Sequence, residues 1–167
     1  MSRMFKPRKS REPAGRGVMR EPAISKEKLL QHLAVDFPQV FNDKIGISID
    51  DLGYGRARVR QVFRKHILRP GGTISGPTMM ALVDVAMYIA LLGAIGWVPG
   101  AVTTQLNINF LRRPEAKDII ADGKMLKIGK RLAVGEVSIY SEGSDEVVAH
   151  ATCTYAIPQK AGGPPKA

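Results

Sequence analysis

The stretch "GGTISGPTMMALVDVAMYIALL", residues 71–92, is apolar except for a single charge at Asp84. Ser75 can act as an N-cap and Pro77 fits an early helical position, so the pattern predicts one long helix from about Gly76 to Leu92. Because apolar residues occur on nearly every side, we expect this helix to lie within the core. An unpartnered carboxylate in such a helix is energetically costly, which makes Asp84 a candidate functional residue.

Six short runs rich in β-branched residues surround this helix in the sequence and predict β-strands. They comprise residues 45–50, 55–63, 101–111, 117–129, 132–142 and 146–158. Leu29, Leu30 and Leu33 have the spacing of a short amphipathic helix before the first strand. One apolar helix beside a run of strands predicts an α+β domain, in which an antiparallel sheet of five to six strands curls around the helix.

The charge of the chain is concentrated at its beginning. Residues 1–23 contain seven basic and two acidic residues together with Pro and Gly, and we predict a disordered basic arm there. Residues 24–158 are predicted to form one domain, followed by a disordered tail at residues 159–167. The chain carries +10 in total, so about +5 remains outside the arm and suggests an anionic ligand for the domain.

Composition also disfavours several classes of protein. Cys153 is the only cysteine, which excludes an internal disulfide framework and favours a cytoplasmic location. The N-terminal residues lack the apolar run of a secretory signal, and Asp84 disfavours a membrane span over residues 79–98. The three histidines show no metal-ligand spacing, so no metal is expected.

Four segments, in order, resemble the hotdog-fold acyl-coenzyme A thioesterases of the phenylacetic-acid-degradation (PaaI-like) type. They are "RPGGTISGPTMMALVDVAM" (69–87), "TTQLNINFLRRP" (103–114), "KIGKRLAVGEV" (127–137) and "VVAHATCTY" (147–155). The resemblance implies a hotdog fold and hydrolysis of a short-chain, medium-chain or aryl acyl-CoA thioester. It implies no cofactor beyond coenzyme A as part of the substrate, and a homodimeric catalytic unit that assembles into a homotetramer.

The resemblance assigns roles by position around the helix start. Gly76 would polarise the thioester carbonyl with its amide, and Asp84 would act as nucleophile or general base. The family often has Asn before the proline and His-Gly-Gly at the turn, where this chain has Arg69 and Ser75-Gly76-Pro77. Eight residues of helix span about 12 Å, so one carbonyl cannot reach both Gly76 and Asp84 of one chain. If both serve one reaction, they come from different subunits of a two-fold dimer.

Other candidate residues are assigned from their positions around this pair. Ser75 is expected at the oxyanion site, and Thr104 is expected to orient water, although a solvent-facing position is nearly as compatible with its strand. Arg69, Tyr88, Met80 and Met87 are candidates for substrate binding, with core packing as the alternative for the methionines. Turn-borne cations are expected to hold the coenzyme A phosphates or, alternatively, to be ordinary solvated residues: Arg112, Arg113, Lys127, Lys130 and Arg131.

Two further classes of function are compatible with the sequence. The replacements at Arg69 and Ser75 would suit a non-catalytic acyl-CoA-binding or regulatory hotdog protein. Residues 1–23 would suit binding to a nucleic acid or a membrane surface, although aromatic residues for base stacking are scarce among their charges.

Overall fold

A six-stranded antiparallel sheet wraps around one long helix in the computed structural model, which describes residues 20–159. The helices are α1 (Lys26–Asp36) and α2 (Gly76–Ile95), and a 3₁₀ turn spans Lys65–Ile67. The strands are β1 (Ile47–Gly53), β2 (Arg56–Gln61), β3 (Leu68–Arg69), β4 (Thr73–Ile74), β5 (Val102–Phe110), β6 (Ile119–Ile128), β7 (Leu132–Ser141) and β8 (Val147–Ala156).

The large sheet has the strand order β1-β2-β6-β7-β8-β5, and every neighbouring pair is antiparallel. All six of its strands contact α2, so the predicted α+β hotdog architecture is confirmed. The β3–β4 hairpin, with two residues in each strand, was not predicted from the sequence. Its turn places Gly71 at a φ of 96°, a conformation that glycine adopts without strain.

Both helices begin at a serine cap. The Ser25 hydroxyl accepts a hydrogen bond from the Lys28 amide at the start of α1, and Ser75 has the same role before α2. Twelve residues of α2 are buried, as expected for a core helix. It is long and apolar enough to cross a membrane, but 67% of that apolar window is buried inside the domain.

The helix α2 is three residues longer than predicted because Gly93 does not end it. A Cβ at Gly93 would lie 2.6 Å from the carbonyl oxygen of Gly53, so the glycine permits close packing of α2 on β1. The helix instead ends at Gly96, which has a φ of 81°.

One face of α2 is not covered by the sheet. Pro77, Met80, Ala81, Asp84 and Tyr88 recur at helical spacing on this face and are exposed or half-buried. The adjacent edge strand of the sheet is β5, nine residues long and mostly exposed. Within residues 20–159, its outer backbone edge has no partner strand. Such an edge is a surface to which another strand can pair.

Most of the predicted basic arm and of the C-terminal tail lies at residues 1–19 and 160–167, outside the described part of the chain. The last residues of the arm are described and contact the domain. The Arg20 guanidinium lies 4.0 Å from the centroid of the Tyr54 ring and donates to the Tyr54 hydroxyl at 2.7 Å. The Ala23 amide donates to the Gly93 carbonyl at 2.8 Å, so contact with the domain begins before residue 24.

Candidate active site

Asp84 lies half-buried in the third turn of α2, where two hydroxyl groups contact its carboxylate. The Thr103 hydroxyl donates to Asp84 Oδ1. The Tyr155 hydroxyl donates to the same oxygen at 2.6 Å and lies 2.8 Å from the Asp84 backbone carbonyl. Thr103 and Tyr155 are cross-strand partners in β5 and β8, so the sheet brings both hydroxyls to one carboxylate.

The two carboxylate oxygens of Asp84 are therefore not equivalent. Among residues 20–159, no group donates a hydrogen bond to Oδ2, and no cation forms an ion pair with Asp84. An oxygen without a protein donor can take a proton from water or attack a carbonyl carbon. The geometry thus assigns an anchoring role to Oδ1 and leaves Oδ2 available for chemistry.

Tyr155 and Cys153 both face the core beside Asp84, and neither ionises readily. Burial, followed by the hydrogen bond to Asp84, raises the pKa of Tyr155 well above its ordinary value. Tyr155 is therefore a permanent donor at neutral pH. Burial, with the nearby charge of Asp84, raises the pKa of the Cys153 thiol to about 12. A thiol with this pKa is a poor nucleophile, so Asp84 is the candidate reacting group.

A cavity of about 280 Å³ adjoins Asp84. Four aromatic residues line it: Phe37, Tyr88, Trp97 and Tyr155. The ring of Tyr88 meets Phe37 edge-on with centroids 6.3 Å apart and stacks near Tyr155 at 6.2 Å. An apolar cavity with a few polar groups at one end is typical of small-molecule sites. Tyr88, which the sequence suggested for substrate binding, is thus positioned beside Asp84.

Gly76 lies in a different cavity, of about 560 Å³, at the start of α2. The guanidinium-bearing residues around it are Arg69, Arg112 and Arg113. The Phe110 ring covers Gly76 so closely that an added Cβ would lie 3.3 Å from Phe110 Cζ. The two cavities share no lining residue, so a single chain does not bring Gly76 and Asp84 to one site.

One amide is left free at this helix start. Pro77 has no N–H, the Thr78 amide donates to the Ser75 hydroxyl at 3.3 Å, and the Met79 amide donates to the Ser75 carbonyl. Gly76 is thus the one early residue of α2 whose N–H has no partner in the described chain. The Ser75 hydroxyl, also 2.8 Å from the Thr78 hydroxyl, is occupied in holding the helix start.

The position beside Asp84 belongs to Thr103 and not to Thr104, which is a correction of the sequence prediction by one residue. The Thr104 hydroxyl donates to the Thr154 carbonyl at 3.1 Å. The shift arises because Thr103 pairs with Tyr155 whereas Gln105 pairs with Thr154, which leaves Thr104 as the extra residue of a β-bulge.

Three of the predicted substrate-binding residues do not lie beside Asp84. Met87 is fully buried and packs on Gly135, where an added Cβ would lie 2.5 Å from Met87 Cε, so it is corrected to a core residue. Met80 is 40% exposed on the uncovered face of α2 and lines neither cavity. Arg69 belongs to the Gly76 cavity.

The five predicted phosphate-binding cations form two groups at opposite ends of the sheet. Arg112 and Arg113 follow β5 near Gly76, where Arg113 donates to the Gly71 carbonyl and Arg112 lies 3.5 Å from Glu146. Lys127, Lys130 and Arg131 lie at the β6–β7 turn, at the end where β8 finishes and β5 begins. One chain therefore does not gather all five.

Sequence reasoning did not single out Tyr155, Trp97 or Phe37. Tyr155 had a detectable signal, because alternation along β8 places it on the same face as buried Cys153. Trp97 and Phe37 follow the ends of α2 and α1, and no local pattern indicates that these two loops meet.

Comparison with known proteins identifies the family of this chain. Residues 71–148 match the model of the thioesterase superfamily. A "putative esterase" of Saccharolobus solfataricus is 30% identical over 119 residues, covering 71% of this chain and 77% of that protein. A "putative thioesterase" structure from a Silicibacter species aligns with a TM-score of 0.73 at 39% identity, over 83% of this chain and 95% of that chain. A variant of the phenylacetic acid degradation protein PaaI from Thermus thermophilus aligns with a TM-score of 0.63 at 26% identity, over 72% and 99% of the two chains. The chain therefore belongs to the hotdog-fold thioesterase superfamily.

Proposed function

We propose that this protein hydrolyses an acyl-coenzyme A thioester to the free acid and coenzyme A. Membership of the thioesterase superfamily supports the class of reaction. The observation that carries the proposal is the asymmetric support of Asp84: Thr103 and Tyr155 hold Oδ1, while Oδ2 has no partner in the described chain. The reaction proposed uses only side chains, a backbone amide and water.

In the proposed mechanism, Oδ2 of Asp84 either takes a proton from the attacking water or attacks the thioester carbonyl itself. In the first case the water oxygen bonds to the carbonyl carbon, the carbon–sulfur bond breaks, and the proton held by Asp84 passes to the departing thiolate of coenzyme A. In the second case the carbon–sulfur bond breaks to leave a mixed anhydride on Asp84, the thiolate takes a proton from water, and the resulting hydroxide hydrolyses the anhydride to the free acid and restores the Asp84 carboxylate. Thr103 and Tyr155 keep the carboxylate in one orientation throughout. The oxyanion that develops on the carbonyl oxygen requires a preorganised donor, for which the free Gly76 amide of the partner subunit is suited.

We propose a two-fold homodimer as the catalytic unit. Pairing β5 with β5 of the partner subunit would satisfy its open edge and bring the uncovered faces of two α2 helices together. Antiparallel α2 helices would bring the Gly76 end of one helix beside Asp84 of the other. Exposed apolar residues on this side support the proposal, because pairing would remove them from water: Met80, Val102, Phe110 and Leu111.

The same arrangement supports a shared phosphate site. Antiparallel pairing along β5 would bring Arg112 and Arg113 of the partner subunit to the sheet end that carries Lys127, Lys130 and Arg131. Cations that lie apart in one chain would then approach one substrate, as the phosphates of coenzyme A require. A further association of dimers into a tetramer stays a prediction.

The test is release of free thiol from a panel of short-chain, long-chain and aryl acyl-CoAs by the full chain. Turnover of at least one thioester at enzyme-like rates is expected. The second candidate, a non-catalytic acyl-CoA-binding protein, is favoured by the helix start, where Pro77 leaves a single amide for the oxyanion. Tight acyl-CoA binding in calorimetry with no thiol release from any member of the panel would replace the first proposal with the second.

A further inference from the structure

A second carboxylate, that of the solvent-exposed Asp36, belongs to the lining of the aromatic cavity. Asp36 is the last residue of α1, and its side chain forms no hydrogen bond or ion pair with residues 20–159. A negative charge at a helix C-terminus is opposed by the helix dipole, and the last turn of α1 has no basic residue to offset it. The stability of α1 therefore does not explain an aspartate here.

The charge of this cavity is opposite to that of the whole chain. The chain carries +10, yet the cavity is lined by two carboxylates, Asp36 and Asp84, and by no Lys, Arg or His. Such a lining disfavours an anionic acyl group and favours a hydrogen-bond donor or a cation. Aromatic walls are compatible with a cation as well, because their ring faces attract positive charge.

The second free polar group in the cavity is the hydroxyl of Tyr88, which has no hydrogen-bond partner among residues 20–159. Tyr88 follows Asp84 by one turn, about 6 Å along the helix axis. Burial, with a contribution from the charge of Asp36, raises the pKa of Tyr88. The lining thus includes two polar groups besides Asp84, the Asp36 carboxylate and the Tyr88 hydroxyl.

The position of Asp36 relative to the cavity is held by packing of α1. Leu29 and Leu33 of α1 are fully buried, and His32 stacks on Trp97 with ring centroids 4.5 Å apart and planes 12° apart. Because Trp97 is itself a wall of the cavity, this stack ties α1 to the site. A carboxylate on an anchored helix can discriminate between ligands.

We propose that Asp36 selects acyl groups with a hydrogen-bond donor at the end remote from the thioester, and binds a protonated amine there more tightly than a hydroxyl. This inference rests on the proposed function, since it takes the aromatic-lined cavity as the acyl pocket. A bond from an amine to Asp36 is charge-assisted on both sides, whereas a bond from a hydroxyl is charge-assisted on one. Asp36 is thereby a specificity-determining residue that takes no part in bond breaking.

Trp97 gives a direct readout, because it is the single tryptophan of the chain and it lines the cavity. The probes are para-methyl, para-hydroxy and para-aminomethyl benzamide, which share an uncharged carbonyl end and cannot be hydrolysed as thioesters. Titration of the full chain, followed by tryptophan fluorescence, should give about tenfold tighter binding of the hydroxy than of the methyl compound, as expected for one hydrogen bond to a charged group. The aminomethyl compound should bind more tightly still.

The variant Asp36→Asn should abolish the advantage of the aminomethyl compound and leave the affinity of the methyl compound unchanged. Asp43→Asn is the matched control, because Asp43 is exposed in the loop after α1 and is absent from the cavity lining. It should leave all three affinities unchanged. The melting temperature of Asp36→Asn should be no lower than that of the wild type, since the Asp36 side chain has no partner to lose and its charge is opposed by the dipole of α1.

Equal affinities of the three amides, a donor advantage that survives Asp36→Asn, or no binding of any amide would each overturn the proposal. These outcomes are distinct from failure of the proposed function. Thiol release from para-methylbenzoyl-CoA together with equal amide affinities would overturn the role of Asp36 alone. Selective amide binding without thiol release from any acyl-CoA would support selection by Asp36 and overturn hydrolysis.

Discussion

Asp84 and Gly76, the two candidate catalytic residues of α2, would act through different kinds of group. Asp84 depends on side chains, since the Thr103 and Tyr155 hydroxyls orient its carboxylate. Gly76 depends on the backbone, since the amide of the first helical residue has no acceptor within α2. Pro77 adds no further N–H, and the Thr78 amide is already bonded to Ser75. The departures from the familiar family motif, at Arg69 and Ser75, both lie at the backbone-dependent end. A donor supplied by the main chain persists through changes of neighbouring side chain, whereas a reacting carboxylate has no substitute.

The largest effect is expected for Asp84→Asn, which keeps the shape of the side chain and removes its basicity. We expect kcat for thiol release to fall by about 10³-fold, within the range for loss of a general base. Asp145→Asn, in the exposed β7–β8 turn, is the control and should retain full activity. A variant at Asp84 with activity within tenfold of the wild type would remove this residue from the mechanism.

At the other end, Gly76→Pro deletes the amide proton in a backbone conformation that proline tolerates. Ser75 before it is extended, with a ψ of 148°, and proline is common at the first helical position. We expect kcat to fall by about 10²-fold, as on loss of one oxyanion donor. Gly76→Ala keeps the amide and controls for contact with Phe110. Equal losses in the two variants would indicate steric disturbance and not a missing donor.

Mixing the two inactive variants tests whether the ends belong to different subunits. A hybrid of one Asp84→Asn chain and one Gly76→Pro chain contains one intact site if the site is shared. Random reassociation after mild unfolding should therefore recover about a quarter of the wild-type activity. Recovery of none, with dimers present by light scattering, would place both residues in one subunit.

The bulge in β5 predicts different effects for two adjacent threonines. Thr103→Val removes a donor to Asp84 and should lower kcat by about tenfold, the effect of one hydrogen bond to a charged group. Thr104→Val removes an exposed bond to the Thr154 carbonyl and should change kcat by less than about twofold. Steady-state kinetics of both variants at one pH would show which substitution lowers kcat more. A larger loss in Thr104→Val than in Thr103→Val would assign the role beside Asp84 to Thr104.

The smallest expected effect concerns the buried thiol behind Asp84. Above the ordinary thiol pKa of about 8.5, Cys153 ionises in the unfolded chain but stays neutral in the folded protein, where its pKa is about 12. The contribution of Cys153 to the free energy of unfolding is thus fully present below the ordinary thiol pKa, and it is lost as the pH rises toward 12. Urea unfolding of Cys153→Ala should show a smaller fall in the free energy of unfolding between about pH 8 and pH 11 than the wild type.

Much of the fold could be read from local patterns. Alternating β-branched runs predicted six strands, and an apolar run after a Ser-Gly-Pro start predicted α2, because period and capping are local properties of the chain. The eight-residue separation of Gly76 and Asp84 also follows from the sequence, since helical rise is constant.

The groups that surround Asp84 could not be predicted from local patterns. The sequence suggested Thr104 on the strand beside the site, but a β-bulge in the pairing of β5 with β8 placed Thr103 there instead. Gly93 resembles a helix end until β1 packs against it, and the aromatic cavity exists because loops distant in sequence meet beside α2. Local patterns were enough to predict the helices, the strands and the lone charge on the core helix. The partners of that charge depend on long-range pairing, because register and close approach are set by residues far along the chain.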